Sequence, residues 1–215
     1  MFQKGELESL AVATGLILLN IGVIWAFAFT PLAAANNVLF NHFIIGVAVY
    51  GVLLSAGLFI AKRGVRDGNT GMAVGGTSLV QFAYGMFGAG VISMLSPSIQ
   101  ALALGTTAVA TTAIAVICGL AVFGTDHDFS SWGKYANYIF LGVFGLSLVG
   151  TFSAGMIIFA FFLALIGFIV YLVDQIYRVK VKPGQPFMNG IGLYTAYMGV
   201  FVEILQMIVY MLLDE

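Results

Sequence analysis

Two carboxylates stand in stretches that hold almost no other charge. Asp174, in IGFIVYLVDQIYRVKVKPGQP, follows a run with no Asp, Glu, Lys or Arg back to Lys134, and Glu203 is the only charged residue between Lys182 and Asp214. A carboxylate in apolar surroundings can pair with a basic side chain, carry a proton or compensate a crossing cation, and its neighbours decide which. Asp174 has Arg178 one helical turn ahead, which suits an i to i+4 pair hydrated at a membrane interface. It also suits a gate whose partner is a nearby cation or a second acid.

Glu203 lies 14 residues past Asn189, or roughly 21 Å along a helix, which is deep in a bilayer. A charge at that depth costs on the order of 2.5 to 3.5 kcal/mol and normally faces a bundle interior or a watered cavity. At 100° per residue, Gly192, Ala196, Gly199, Glu203, Gln206 and Tyr210 fall within an arc of about 80°. That narrow face is small and polar, and Ile191, Leu193, Val200, Phe201, Ile204, Leu205 and Ile208 cover the other sides for lipid or apolar neighbours. Two readings stand: Glu203, with Ala196 and Gln206 beside it, lines an ion or proton path, or a protonated Glu203 is hydrogen-bonded glue.

These residues need elements that hold them in a membrane. With 61% hydrophobic and 8% charged residues and a mean hydropathy of +1.06, the chain cannot clothe a soluble globule. Charge-free runs at 9–61, 68–125 and 135–173 are each long enough for two helices of about 20 residues, and the last region for one. TPLAAANN, SPS and TFSAG divide the doubled runs. The result is an all-α polytopic membrane protein, one transmembrane domain over 1–215, with spans near 10–29, 38–61, 72–95, 99–123, 135–152, 155–175 and 189–213. The apolar run before PLAAA exceeds a signal-peptide core and reads as a retained span.

Seven spans put Lys4, Lys62, Arg63, Arg66, Lys134, Arg178, Lys180 and Lys182, all eight basic residues, on one side. The positive-inside rule makes that side cytoplasmic, with the N-terminus inside and Asp214 and Glu215 outside. Gly85, Gly88 and Gly90 in span three and Gly142 and Gly145 in span five read as sites of close helix approach. Cys118, the single cysteine, permits no intrachain disulfide and reads as a packing residue. His42 reads as an interfacial hydrogen-bonder, and Asp126, His127 and Asp128 as a solvated loop in which Asp128 caps span five rather than holds a metal. Nucleophile motifs and phosphate-binding glycine loops are absent, so no enzyme and no cofactor are expected.

Three segments, QFAYGMFGAGVISMLSPS, the stretch from ALGTTAVATTAIAVICGLAVFGTDHDFSSWGK to YANYIFLGVFGLSLVG, and GFIVYLVDQI with GIGLYTAYMGVFVEIL, resemble the transmembrane Bax inhibitor motif family. The resemblance implies seven helices with the last one central, a passive calcium leak, and pH control through two aspartates near the cytoplasmic end. Asp174 matches the first aspartate, and Arg63 or Lys62 matches the basic latch of span two, with Arg63 favoured. The second aspartate does not carry over, because LYTA places Ala196 there, and Glu203 two turns deeper is the nearby acid. The expected function is a pH-modulated cation leak, with calcium as permeant, protons as regulator, and Asp174 and Glu203 as the acids that meet the metal. The alternatives are a non-transporting regulator bound to another membrane protein, such as a protease complex, and a proton-coupled transporter. Short loops and the lack of a basic C-terminal tail point to a prokaryotic plasma membrane.

Overall fold

The computed structural model describes residues 3–40, 43–150 and 154–213. His42, the turn at 151–153, Asp214 and Glu215 lie outside the described residues. The described residues form eight helices: α1 (Lys4–Phe29), α2 (Leu32–Phe40), α3 (Phe43–Arg66), α4 (Thr70–Ile92), α5 (Pro97–Phe123), α6 (Trp132–Gly150), α7 (Ala154–Val181) and α8 (Pro186–Leu213). They contain no strand. Two compact units are distinguished, Met1–Leu10 with Thr107–Ile204, and Ala11–Thr106 with Leu205–Glu215.

Local chemistry sets the helix ends. Gly68 adopts φ 67° after α3, and there the amides of Gly68 and Asn69 donate back to the carbonyls of Val65 and Gly64. The Asn69 side chain then accepts from the Met72 amide and caps α4. Pro97 and Pro186 occupy first helical positions, where a missing N–H costs nothing.

In the unit of Ala11–Thr106, α3 packs along α4 through small residues. A Cβ on Gly57 would meet the Gly76 carbonyl at 2.9 Å, Gly76 lies against Ala61, and Gly64 lies against Met72 and Ala73. On another side of α4, Gly85 and Gly88 admit Val23 and Ile24 of α1. The Asn20 amide donates to the Gln81 carbonyl at 2.8 Å, and the Gln81 amide donates to the Leu16 carbonyl at 3.1 Å. Every residue from Ala83 to Ile92 is buried.

In the unit of Thr107–Ile204, α6 and α7 run antiparallel, with Gly167 against Ile139 and Phe140. The four-residue turn from Lys182 to Gln185 returns the chain into α8. Phe168 lies on Gly199 and Gln175 lies on Gly192, seven residues apart on both helices, which fixes an antiparallel register. Lys180 donates to the carbonyls of Val122 and Thr125 at 2.8 and 3.0 Å and so caps α5. Gly5 lies against Pro183. Lys4, Lys134, Arg178, Lys180 and Lys182 therefore share one end of this unit.

Among the described residues, four helices are long and apolar enough to cross a membrane: α1, α5, Phe159–Val181 of α7, and α8. α3, α4 and α6, expected as spans, are not in that group of described residues. For α4 the cause is its six glycines with Thr77, Ser78 and Gln81, residues that suit helix contact more than lipid. Gly85 and Gly88 are close-approach sites as expected, but a Cβ on Gly142 would only touch Leu163, at 3.6 Å, and one on Gly145 would meet open space. Of the apolar residues on the other sides of α8, Ile191, Leu193, Val200, Phe201, Ile204 and Leu205 are buried against apolar neighbours, and Ile208 is partly exposed.

Candidate functional site

α7 continues to Val181, six residues beyond the expected end of its span. Asp174 therefore lies about two turns inside the helix, and with 1% exposure it is not the hydrated interfacial residue expected from its position. Its Oδ2 accepts from Arg178 Nε and from Gln175 Nε2, both at 2.8 Å. Arg178 is half exposed, so the pair joins a buried acid to a guanidinium at the rim. The carboxyl rests on the first turn of α6, where a Cβ at Gly133 would come within 2.9 Å of Oδ1 and 3.0 Å of Oδ2. Gly133 makes room for the acid at a helix N-terminus, which favours negative charge. Gln175 continues the arrangement into α8, its Oε1 lying on Gly192. One carboxylate thus ties three helix ends together.

Glu203 occupies the same face of α8 as Gly192 and Gly199. The register with α7 puts residue 164, a buried alanine, opposite Glu203. Within α8, the residues from Asn189 to Gln206 are buried save Tyr197 and Glu203, which are partly so. Glu203 Oε2 is shut off from solvent and has no hydrogen-bond partner. Ala196 and Gln206 are buried on the same helix, Ala196 at 0% exposure.

The expected ligand residues do not converge. From Gly192, beside Gln175, to Glu203 is eleven residues, so the two acids are separated by roughly 16 Å along the helix. They make two stations and not one metal site, and among the described residues no group of three His, Cys, Asp or Glu could hold a metal ion. Arg63 pairs with Asp67 at 3.4 Å, on the same helical face and exposed. Arg66 also reaches Asp67, and its hydrogen bond is the main cause holding that carboxyl below the usual range.

Gln175, Gly133 and the buried Thr111 were not singled out by sequence. The available signal for Thr111 was the i to i+4 repeat of Ala103, Thr107 and Thr111 with Cys118 and Val122 further on, which forms the buried stripe of α5. Cys118 is a buried free thiol on that stripe, as a packing residue would be.

Asp128 does not cap α6, which begins at Trp132. It closes the preceding loop instead, accepting from the Ser130 amide at 2.8 Å. That amide, then the Ser130 hydroxyl and the Tyr177 hydroxyl, holds its carboxyl below the ordinary range. Phe129 packs edge-on to Trp132 at 5.0 Å and to Tyr177 at 5.9 Å. Because folding lowers this proton affinity, the contribution of Asp128 is present above the unfolded value of about 3.9 and is lost as pH falls through the lower folded value. Trp132 fluorescence, read in Trp25→Phe, should stay constant down to about pH 4 and change only below it. A change centred near neutral pH would refute this anchoring.

No protein-family model matches the chain, and neither does any curated protein or solved structure.

Proposed function

We propose that the protein is a passive, pH-modulated cation leak, with calcium as the permeant to test first. The observation that carries this reading is Glu203, an acid deep in an apolar helix whose buried Oε2 has no partner. A structural glutamate would be protonated and hydrogen-bonded, whereas a carboxylate that meets a transient cation needs a free oxygen. The reading includes seven spans, since α3, α4 and α6 extend roughly 36, 34 and 28 Å against a hydrocarbon core of about 30 Å. It sets the basic end of the Thr107–Ile204 unit in the cytoplasm of a prokaryotic cell. It calls for no catalytic chemistry and no cofactor.

In this scheme Asp174 is the regulator. While ionised it holds Arg178 and Gln175, and through Gly133 and Gly192 it keeps α6, α7 and α8 together at their cytoplasmic ends. Protonation removes the charge that holds Arg178, and the closed arrangement loosens. Protons thus act as ligands of one conformation.

The test is calcium efflux from loaded liposomes. Glu203→Gln keeps size and shape and should fold normally while reducing efflux about tenfold, the equivalent of roughly 1.4 kcal/mol at the barrier. Unchanged efflux would remove Glu203 from the path. A wild-type protein that passes no cation would favour a non-transporting partner of another membrane protein.

A further inference from the structure

We infer that Gln175 is the positioning residue that carries the protonation state of Asp174 to α8, by turning its side-chain amide end for end. This deepens the leak reading above and rests on it for the opening that results.

The groups around Asp174 are donors. Arg178 Nε and Gln175 Nε2 both give to Oδ2 at 2.8 Å, and Gly133 sets the carboxyl on the first turn of α6, where a helix offers backbone N–H groups. An ionised carboxylate only accepts, so it suits all three. Protonation adds an O–H that needs an acceptor, and of these neighbours Gln175 alone carries one, at the other end of its amide. A flip of that amide delivers Oε1 to the new O–H and sends Nε2 to the place that Oε1 held.

That place is the surface of α8. A Cβ on Gly192 would overlap Gln175 Oε1 and lie 3.0 Å from its Cδ, so the amide rests directly on the helix. An oxygen there meets the Gly192 Cα hydrogens as a weak acceptor. An NH2 group sets hydrogens against hydrogens and leaves a donor unmet, since Gln175 is only 6% exposed. The seam between α7 and α8 then loosens beside the turn that joins them.

Few other titratable groups face Asp174. α7 supplies Arg178, with Tyr171 and Tyr177 about one turn to either side, and α6 supplies the exposed Lys134 and Tyr135 beside Gly133. From Pro186 to Val202, α8 holds no Asp, Glu, Lys, Arg or His, only Tyr194 and Tyr197. The start of α1, with Glu6, meets the chain at Pro183 in the turn beyond.

The test is calcium efflux against pH for Gln175→Leu and Gln175→Met, which keep bulk and have no amide to turn. The acid-induced rise, roughly tenfold or more in wild type, should fall below about twofold in both. Gln175→Leu should also silence the leak of Asp174→Asn, because the asparagine acts by giving an N–H to Gln175 Oε1. A pH response that survives in both single variants, or a double variant that leaks as Asp174→Asn does, overturns the relay. A merely structural Gln175 would change the yield of folded protein and leave these profiles in place.

Spin labels give a readout without transport. Tyr138→Cys on α6 and Phe187→Cys on α8 replace exposed side chains, in a Cys118→Ala background. Their separation should lengthen as pH falls and stay constant once Gln175→Leu is added. A separation that responds to pH through Gln175, without efflux, supports the relay and fails the leak. Efflux and separation that both respond to pH regardless of Gln175→Leu do the reverse.

Discussion

Gly199→Leu should lower the thermal unfolding midpoint in detergent by roughly 5–10 °C, the loss expected for overpacking worth a few kcal/mol in a chain of this size. The Phe168 ring occupies the place where a side chain at 199 would begin. It is held from the other side by Phe140, at 4.8 Å between ring centroids, so it has little freedom to retreat. Phe168→Ala would lose ring packing by itself, yet in combination with Gly199→Leu it should recover part of the midpoint. A strictly additive pair would mean that the ring and residue 199 are not in contact.

Asp174→Asn should produce a protein that leaks calcium at every pH. Asparagine preserves the volume and an acceptor oxygen but removes the charge that Arg178 grips at 2.8 Å. A charge-assisted bond of this kind contributes about 1.5 to 3 kcal/mol, which corresponds to roughly a tenfold or larger rise in the open population. Wild-type efflux should rise as pH falls on the Arg178 side, and the variant should be flat at the high level. Arg178→Gln should behave in the same way. A pH profile unchanged by Asp174→Asn would exclude this acid from gating, and an effect of Arg63→Gln with none of Arg178→Gln would transfer the latch to Arg63.

The helices were largely legible in the sequence because charge-free runs and turn residues mark them from two sides. α2 was missed for a definable reason. TPLAAA reads as a turn by its proline, but Thr30 accepts from the Leu32 amide at 3.3 Å, proline precedes the first helical residue, and three alanines follow. Those are helix-start signals. α7 overran its expected end because Arg and Lys are good helix formers and favour a C-terminal turn, so the helix persists until Lys182 and Pro183. The i to i+4 pairing of Asp174 with Arg178 was also legible. Its burial was not, since that depends on Gly133 and Gly192, which come from two other helices and carry no side chain to signal the contact. Glu203 was conspicuous as a lone acid, whereas Thr111 was hidden among four threonines of similar spacing.

The amide clasp between α1 and α4 couples assembly to synthesis. Asn20 leaves the ribosome long before Gln81, whose main-chain carbonyl it holds across 61 residues of sequence. Until α4 arrives, a carboxamide in α1 has no such acceptor, and an unsatisfied polar group in hydrocarbon costs several kcal/mol. The first helix is thus poorly suited to early release into lipid, and it gains by waiting beside the insertion machinery until α3 and α4 follow. Because both side-chain amides seize backbone carbonyls, what α4 recognises on arrival is the position of a helical turn, whatever side chain residue 16 carries. A shift of one turn would break both bonds together, so the clasp fixes the registration of α1 on α4.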